Sequence, residues 1–182
     1  MAWQVVPLEK HHIAGFHAVL DGVARERRWL AFLRAPPPAR IRRFVLDNQR
    51  LGAVHFVALD DGQVVGWCDV TPKAHATLRH SGTLGMGIAA THRGRGIGAA
   101  LLGATTAGAF ARGLERIELI VRADNAAAIG LYRRAGFAQE GLLRRYLIVD
   151  GVAFDALQMA RLATDPERAA EIVQSRERGE HT

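Results

Sequence analysis

A single cysteine, two lysines and no apolar run as long as a membrane span set the first bounds on this 182-residue chain. One cysteine, Cys68, excludes an internal disulfide and fits a reducing compartment. The missing apolar run excludes a spanning helix, and Met1-Ala2-Trp3-Gln4 opens no basic-then-apolar leader. A cytoplasmic protein without a membrane partner is expected. Gly-Lys-Ser/Thr is absent, which excludes a Walker phosphate loop. His11, His12 and His17 share a helical face without a partnering cysteine or carboxylate, so no metal is expected.

The scarcity of lysine also shapes the charge argument. Net charge is +6, but only Lys10 and Lys73 of the 24 basic residues are lysine, leaving 22 arginines. They are spread from Arg25 to Arg178 with acids between them, and no long basic run forms. This pattern suits a solvated surface and a local anion rather than nucleic acid, which would demand a steep salt dependence. No nucleic-acid partner is expected, while a homodimer remains open. An apolar fraction of 49% is enough for one well-packed core. The reading is one domain over 1–162, then a polar, helix-prone tail over 163–182.

Periodicity divides that domain into alternating elements. Trp3 to Leu8 reads as a strand, and Ile13, Phe16, Leu20 and Val23 recur at helical spacing. Pro36-Pro37-Pro38 stops what precedes it and opens a second helix marked by Ile41, Phe44 and Val45. Val54–Leu59 and Gln63–Val70 flank Asp60-Asp61-Gly62, a hairpin signal. Gly82–Ala90 is a further strand in which Gly85 and Gly87 suggest a bulge or a close approach. A helix over Ala99–Arg112 ends at Gly113, and a strand covers Arg116–Val121. A helix capped by Asp124 or Asn125 runs to Arg134, and a last hairpin turns at Asp150-Gly151. The fold class is mixed α/β.

Between the Gly82–Ala90 strand and the next helix stands Thr91-His92-Arg93-Gly94-Arg95-Gly96-Ile97-Gly98-Ala99. Unpaired N–H groups at a helix N-terminus suit a phosphate, and glycines allow it close to the main chain. Arg93 and Arg95 can add charge-assisted contacts. The spacing Gly94-x-Gly96-x-Gly98 does not fit the dinucleotide fingerprint Gly-x-Gly-x-x-Gly.

Arg93-x-x-Gly96-x-Gly98, preceded by Met86-Gly87-Ile88 and followed by Asn125, Tyr132 and Gly136-Phe137, resembles the GCN5-related N-acetyltransferase (GNAT) superfamily. The resemblance covers roughly Val5 to Leu162. It implies a mostly antiparallel sheet with a splayed central strand pair. It implies acetyl-CoA as donor, with the pyrophosphate on the backbone from Gly94 to Ala99. Free backbone groups at Met86, Gly87 and Ile88 would pair with the pantetheine arm, and a main-chain N–H near Ile88 would polarise the thioester carbonyl. Tyr132 would stand beside the sulfur as hydrogen-bond donor and general acid; without the resemblance it reads as a core aromatic. Asn125 would contact the cofactor, although helix capping explains it equally.

Acetyl transfer needs a neutral amine. Deprotonating a lysine-like amine at pH 7 costs roughly 4.6 kcal/mol, and an α-amine near pKa 8 about 1.4 kcal/mol. Glu26, Asp69, His80 and Glu118 are the candidate bases, with a water relay an alternative. Relatives of the ribosomal-protein alanine type carry a glutamate where Ile120 stands, and phosphinothricin-type enzymes place an acid on the strand Gly82–Ile88, which has none. Cys68 as an acyl-carrying nucleophile is the less favoured route beside direct transfer in a ternary complex.

The segment Arg25-Glu26-Arg27-Arg28-Trp29 follows the first helix, where the resemblance implies the acceptor site. Arg25 and Arg28 suit a carboxylate or phosphonate, and Trp29 a pocket wall. Gly141-Leu142-Leu143-Arg144 and Asp150-Gly151 resemble the phosphinothricin-type, small-molecule branch. The expected acceptor is a small amino-acid-like amine; the alternatives are a protein α-amine or lysine, and a non-catalytic CoA-binding module.

Overall fold

The computed structural model describes residues 3–163. A mostly antiparallel seven-stranded sheet forms the middle layer, in the order β1-β2-β3-β4-β5-β7-β6. Its strands are β1 (Gln4–Pro7), β2 (Val54–Asp60), β3 (Gln63–Pro72), β4 (Ser81–Ile88), β5 (Arg116–Arg122), β6 (Ala138–Val149) and β7 (Val152–Leu162). Two helices, α1 (Ile13–Arg25) and α2 (Pro38–Arg50), cover one face. α3 (Ile97–Ala111) and α4 (Ala126–Arg134) cover the other. No helix among the described residues is long and apolar enough to cross a membrane. The tail expected beyond Ala163 lies outside the described residues.

Local chemistry accounts for most boundaries. Pro38 opens α2, where its missing N–H costs nothing. The hairpin turns take positive φ at Asp61 and Gly62, and again at Asp150 and Gly151. Asn125, rather than Asp124, caps α4 by accepting from the Ala128 N–H at 3.2 Å. α3 starts at Ile97, two residues before the expected Ala99. His11 and His12 belong to a short 3-10 turn before α1, and buried His12 accepts from the Glu9 N–H through Nδ1.

Alternation along the strands sorts side chains between two cores. Cys68, Val70, Leu84, Ile117 and Leu119 join Leu101, Leu102 and Tyr132 on the α3–α4 side. Val57, Leu59 and Trp67 join Phe16, Leu20 and Ile41 on the α1–α2 side. β5 follows the period, so Glu118, Ile120 and Arg122 fall on the α1–α2 face.

Two features of β4 position the site. β4 pairs with β3 over its whole length without a register shift. Its parallel pairing with β5 stops after three residues, Ser81–Arg116, Gly82–Ile117 and Thr83–Glu118. The strands then separate, leaving the β4 edge from Leu84 to Ile88 unpaired toward β5. That is the splayed pair the resemblance implies.

Gly85 and Gly87 do not bulge the strand. The irregularities lie elsewhere, between Ala58 and Leu59 and in the β6–β7 pair. Both glycines instead admit a neighbour. A Cβ on Gly87 would stand 2.3 Å from the Trp67 ring, and one on Gly85 would stand 3.2 Å from Asp69 Oδ1.

Candidate active site

The glycine-rich loop closes the wide end of the split. From Ile88 the chain passes through a 3-10 turn, Ala90–His92, and enters α3 through Gly96 at φ +82°. Gly94 is likewise at φ +75°. Among the described residues, no N–H from Gly94 to Gly98 donates to a backbone carbonyl; pairing resumes with Ala99 and Ala100, which both reach Gly96. Five consecutive donors left free at a helix N-terminus have the chemistry that suits an anion. Gly98 has another duty. A Cβ there would meet Ile88 at 3.1 Å and Leu131 at 3.2 Å, so its absence lets α3 settle against β4 and α4.

The two loop arginines are already engaged. Arg93 forks onto Glu26 and donates from Nε to the Ile88 carbonyl at 3.0 Å. Arg95 reaches Asp60 at 3.1 Å, and His92 approaches the same carboxylate at 3.3 Å. These pairs hold the loop's shape, tying it to the end of α1 and to the β2–β3 turn. The sequence reading missed Asp60 because it stands 32 residues or more from its partners and looks only like a turn residue.

Tyr132 projects from α4 into the α3–α4 core, its ring 5.8 Å from that of Phe137. Burial, and secondarily the neighbouring Cys68, push its phenol pKa up, so it stays protonated at neutral pH. No hydrogen bond to its hydroxyl occurs among the described residues, yet it is not among the fully buried orphan atoms. A donor held without a protein acceptor is available to a ligand. Cys68 is fully buried; desolvation raises its thiol pKa far above the ordinary value, against a weaker hydrogen bond from Thr105. Burial of this kind disfavours the thiolate that an acyl carrier needs.

Of the three acids among the four candidate bases, the structure leaves one in no ion pair among the described residues. Glu26 is neutralised by the Arg93 fork. Glu118 bonds both Lys73 and Arg116. Burial pushes its pKa up, but those two cations outweigh it and hold the carboxyl below the ordinary value. His80 is exposed just before β4, at the closed end of the split, and is not brought to the site. It lies six residues from Met86, on the order of 20 Å along a strand. Asp69 alone is buried, in no ion pair among the described residues, and on the α1–α2 face.

The other rim of the split is the segment after α1. It stays irregular, with Arg27 at φ +56°. Arg27 pairs with Asp150 in the β6–β7 turn. Arg25 turns back to Asp21 on its own helix. Arg28 has no carboxylate partner among the described residues and lies 4.8 Å over the Trp29 ring. Trp29 in turn faces Arg122 at the end of β5, whose guanidinium forks onto Asp124 and lies 3.5 Å over Phe154. The segment therefore borders the split on the side opposite Tyr132. The sequence offered no signal for Arg122, one arginine among many.

Comparisons agree with this geometry. The signature of the Acetyltransferase (GNAT) family matches residues 22–137. The chain is 36% identical over 131 residues to the N-alpha-acetyltransferase RimI of Mycobacterium tuberculosis, covering 71% of this chain and 77% of that one. It is 33% identical over 115 residues to the L-amino acid N-acetyltransferase AaaT of Escherichia coli, covering 62% and 70%. The fold matches that of YncA from Salmonella typhimurium, solved with its cofactor acetyl-CoA, at a TM-score of 0.85 and 18% identity, over 91% and 96% of the two chains. Split sheet, glycine cradle and family signature coincide on the same residues, and the chain belongs to the GNAT family of acetyl-CoA-dependent N-acetyltransferases.

Proposed function

We propose that the acceptor is the primary amine of a small amino-acid-like molecule, acetylated by direct transfer in a ternary complex. Arg28, in no ion pair among the described residues and stacked on Trp29 at the rim of the split, carries this reading. A guanidinium without a carboxylate partner suits a carboxylate or phosphonate in two parallel hydrogen bonds. The amino-acid acceptor in the name of AaaT agrees. The burial of the Cys68 thiol, which favours its protonated form, supports direct attack over an acyl-enzyme route. Lysine-like acceptors are disfavoured by the cost of deprotonation.

In this arrangement the Gly94–Gly98 amides, with Ile97 and Ala99 in the first turn of α3, hold the donor's pyrophosphate. The free β4 edge at Met86, Gly87 and Ile88 pairs with the pantetheine arm, as an added strand would. Arg93 and Arg95 act by bracing the loop. Asn125 caps α4, setting the helix that presents Tyr132 to the departing sulfur. Arg25, committed to Asp21, contributes less than Arg28 to the acceptor.

Arg28→Glu is therefore expected to raise KM for an amino-acid acceptor about tenfold, roughly 1.4 kcal/mol, with KM for acetyl-CoA unchanged. Steady-state kinetics with both substrates varied checks it. Arg25→Glu should do much less. A better rate with spermidine than with any amino acid would remove the anionic acceptor. A second reading, transfer to a protein α-amine, is favoured by the RimI likeness at 36% identity. Peptides assayed against free amino acids separate the two.

A further inference from the structure

We propose that Asp69 takes the proton from the acceptor amine, reaching the reacting side of the split across Gly85. The proposal rests on the reading of the site as amine-acetylating. It begins with place. Asp69 stands opposite Gly85 in the β3–β4 register and opposite His55 in the β2–β3 register. Its Oδ1 lies 3.2 Å from where a Gly85 Cβ would be, in space that any other residue at 85 would close. The β4 edge beyond Gly85 is where pairing with β5 has ended. The carboxylate thus overlies the only strand between it and the donor's path.

Its surroundings keep it reactive. The Thr71 hydroxyl is its one hydrogen-bond partner among the described residues, a long contact of 3.4 Å, and Thr71 is itself held by Asn48 at 3.1 Å. His55 cannot act as counter-ion: burial lowers its pKa to about 4, so the imidazole is neutral. From the helices, Phe16 of α1 packs on His55 and α2 presents Asn48, both uncharged. Cys68 is protonated and points to the opposite core. Lys73 and Glu118 lie beyond Thr71 and Thr83 and pair with each other. Desolvation raises the Asp69 carboxyl to about 7, against a weaker hydrogen bond from Thr71. A base poised near the working pH is the efficient one.

The chemistry balances with no further reagent. Asp69 takes one proton from the ammonium, and the nitrogen lone pair forms the C–N bond to the thioester carbon. The C–S bond breaks with its electron pair on sulfur, which accepts the second nitrogen proton on the Tyr132 side. Asp69 then returns its proton to solvent.

Alanine and 3,3,3-trifluoroalanine test this, because they share a carboxylate while the second amine is far less basic. In Asp69→Asn, kcat/KM at pH 7 should fall about 10²-fold with alanine and only severalfold with trifluoroalanine, whose amine is already neutral. Acetyl-CoA affinity should hold. Equal losses with both acceptors, or none with alanine, overturn the proposal. Should the variant fail to fold, the wild-type profile decides: an acidic limb near pH 7 with alanine that shrinks to a severalfold step with trifluoroalanine supports Asp69, and a limb of equal depth with both acceptors, or one that follows each amine's own pKa, overturns it. If no amino acid is acetylated, the acceptor reading falls, and Asp69 is judged by its titration. A raised carboxyl pKa contributes stability that is present below the ordinary value near 4 and lost as pH rises through about 7. A wild-type melting temperature that falls over that range relative to Asp69→Asn supports it, and parallel curves overturn it.

Discussion

Tyr132→Phe is expected to lower kcat by roughly 10²- to 10⁴-fold while leaving acetyl-CoA affinity near that of the wild type. The ring keeps its contacts with Phe137 and the α3–α4 core, so packing is conserved. The lost hydroxyl has no hydrogen-bond partner among the described residues, so its removal leaves nothing unsatisfied. Stability should hold or rise slightly. What disappears, on the proposed role, is the donor to the departing thiolate, whose charge develops only in the transition state. Burial holds the phenol proton more tightly than usual, which favours stabilisation by a hydrogen bond over complete early transfer. Single-turnover rates with calorimetric binding of acetyl-CoA check this. Parallel losses in rate and affinity would make Tyr132 a binding residue, and an unchanged rate would return it to packing alone.

Gly96→Val should weaken acetyl-CoA binding at least tenfold, about 1.4 kcal/mol or more. Gly96 sits at φ +82° as the N-cap of α3, where a β-branched residue is strained by about 1–2 kcal/mol. The loop would relieve that strain by turning, which would redirect the free N–H groups from Gly94 to Gly98. Gly113 supplies the control. It stands past the other end of the same helix at φ +87° with open space around it. Gly113→Val carries a similar strain far from the cradle and should cost stability without changing affinity. A folded Gly96→Val that binds acetyl-CoA normally would remove the pyrophosphate assignment.

Elements whose signals are local were legible in the chain. Asp-Gly at 61–62 and 150–151 specifies positive φ within two residues, and both turns form as read. The spacing of Gly94, Gly96 and Gly98 marked the cradle, because backbone chirality and donor geometry operate over a single turn. Even there one duty went unread. Gly98 serves the packing of α3 against Ile88 and Leu131, a contact no local window reveals. Gly85 and Gly87 read as either a bulge or a close approach, and the structure selects the second, admitting Asp69 and the Trp67 ring.

The proposed base was the hardest residue to read, since a carboxylate's reactivity depends on what surrounds it. In sequence, Glu26, Asp69 and Glu118 are equivalent acids. In the fold, Arg93 neutralises the first and Lys73 with Arg116 the third, across separations of 67, 45 and two residues. Arg25, Arg27 and Arg28 were equivalent cations until Asp21 and Asp150 occupied the first two.

By itself the sequence determined the order of strands and helices, the tight turns, the glycine-rich turn into α3 and the kinship with acetyltransferases. Each depends on backbone conformation or residue spacing within a few positions. Only the tertiary structure decided where β4 and β5 part, which charges are already paired and which carboxylate remains buried and free. Those properties depend on distance and desolvation between distant segments. Coulomb energies and burial costs change severalfold over a few ångströms that sequence separation does not encode.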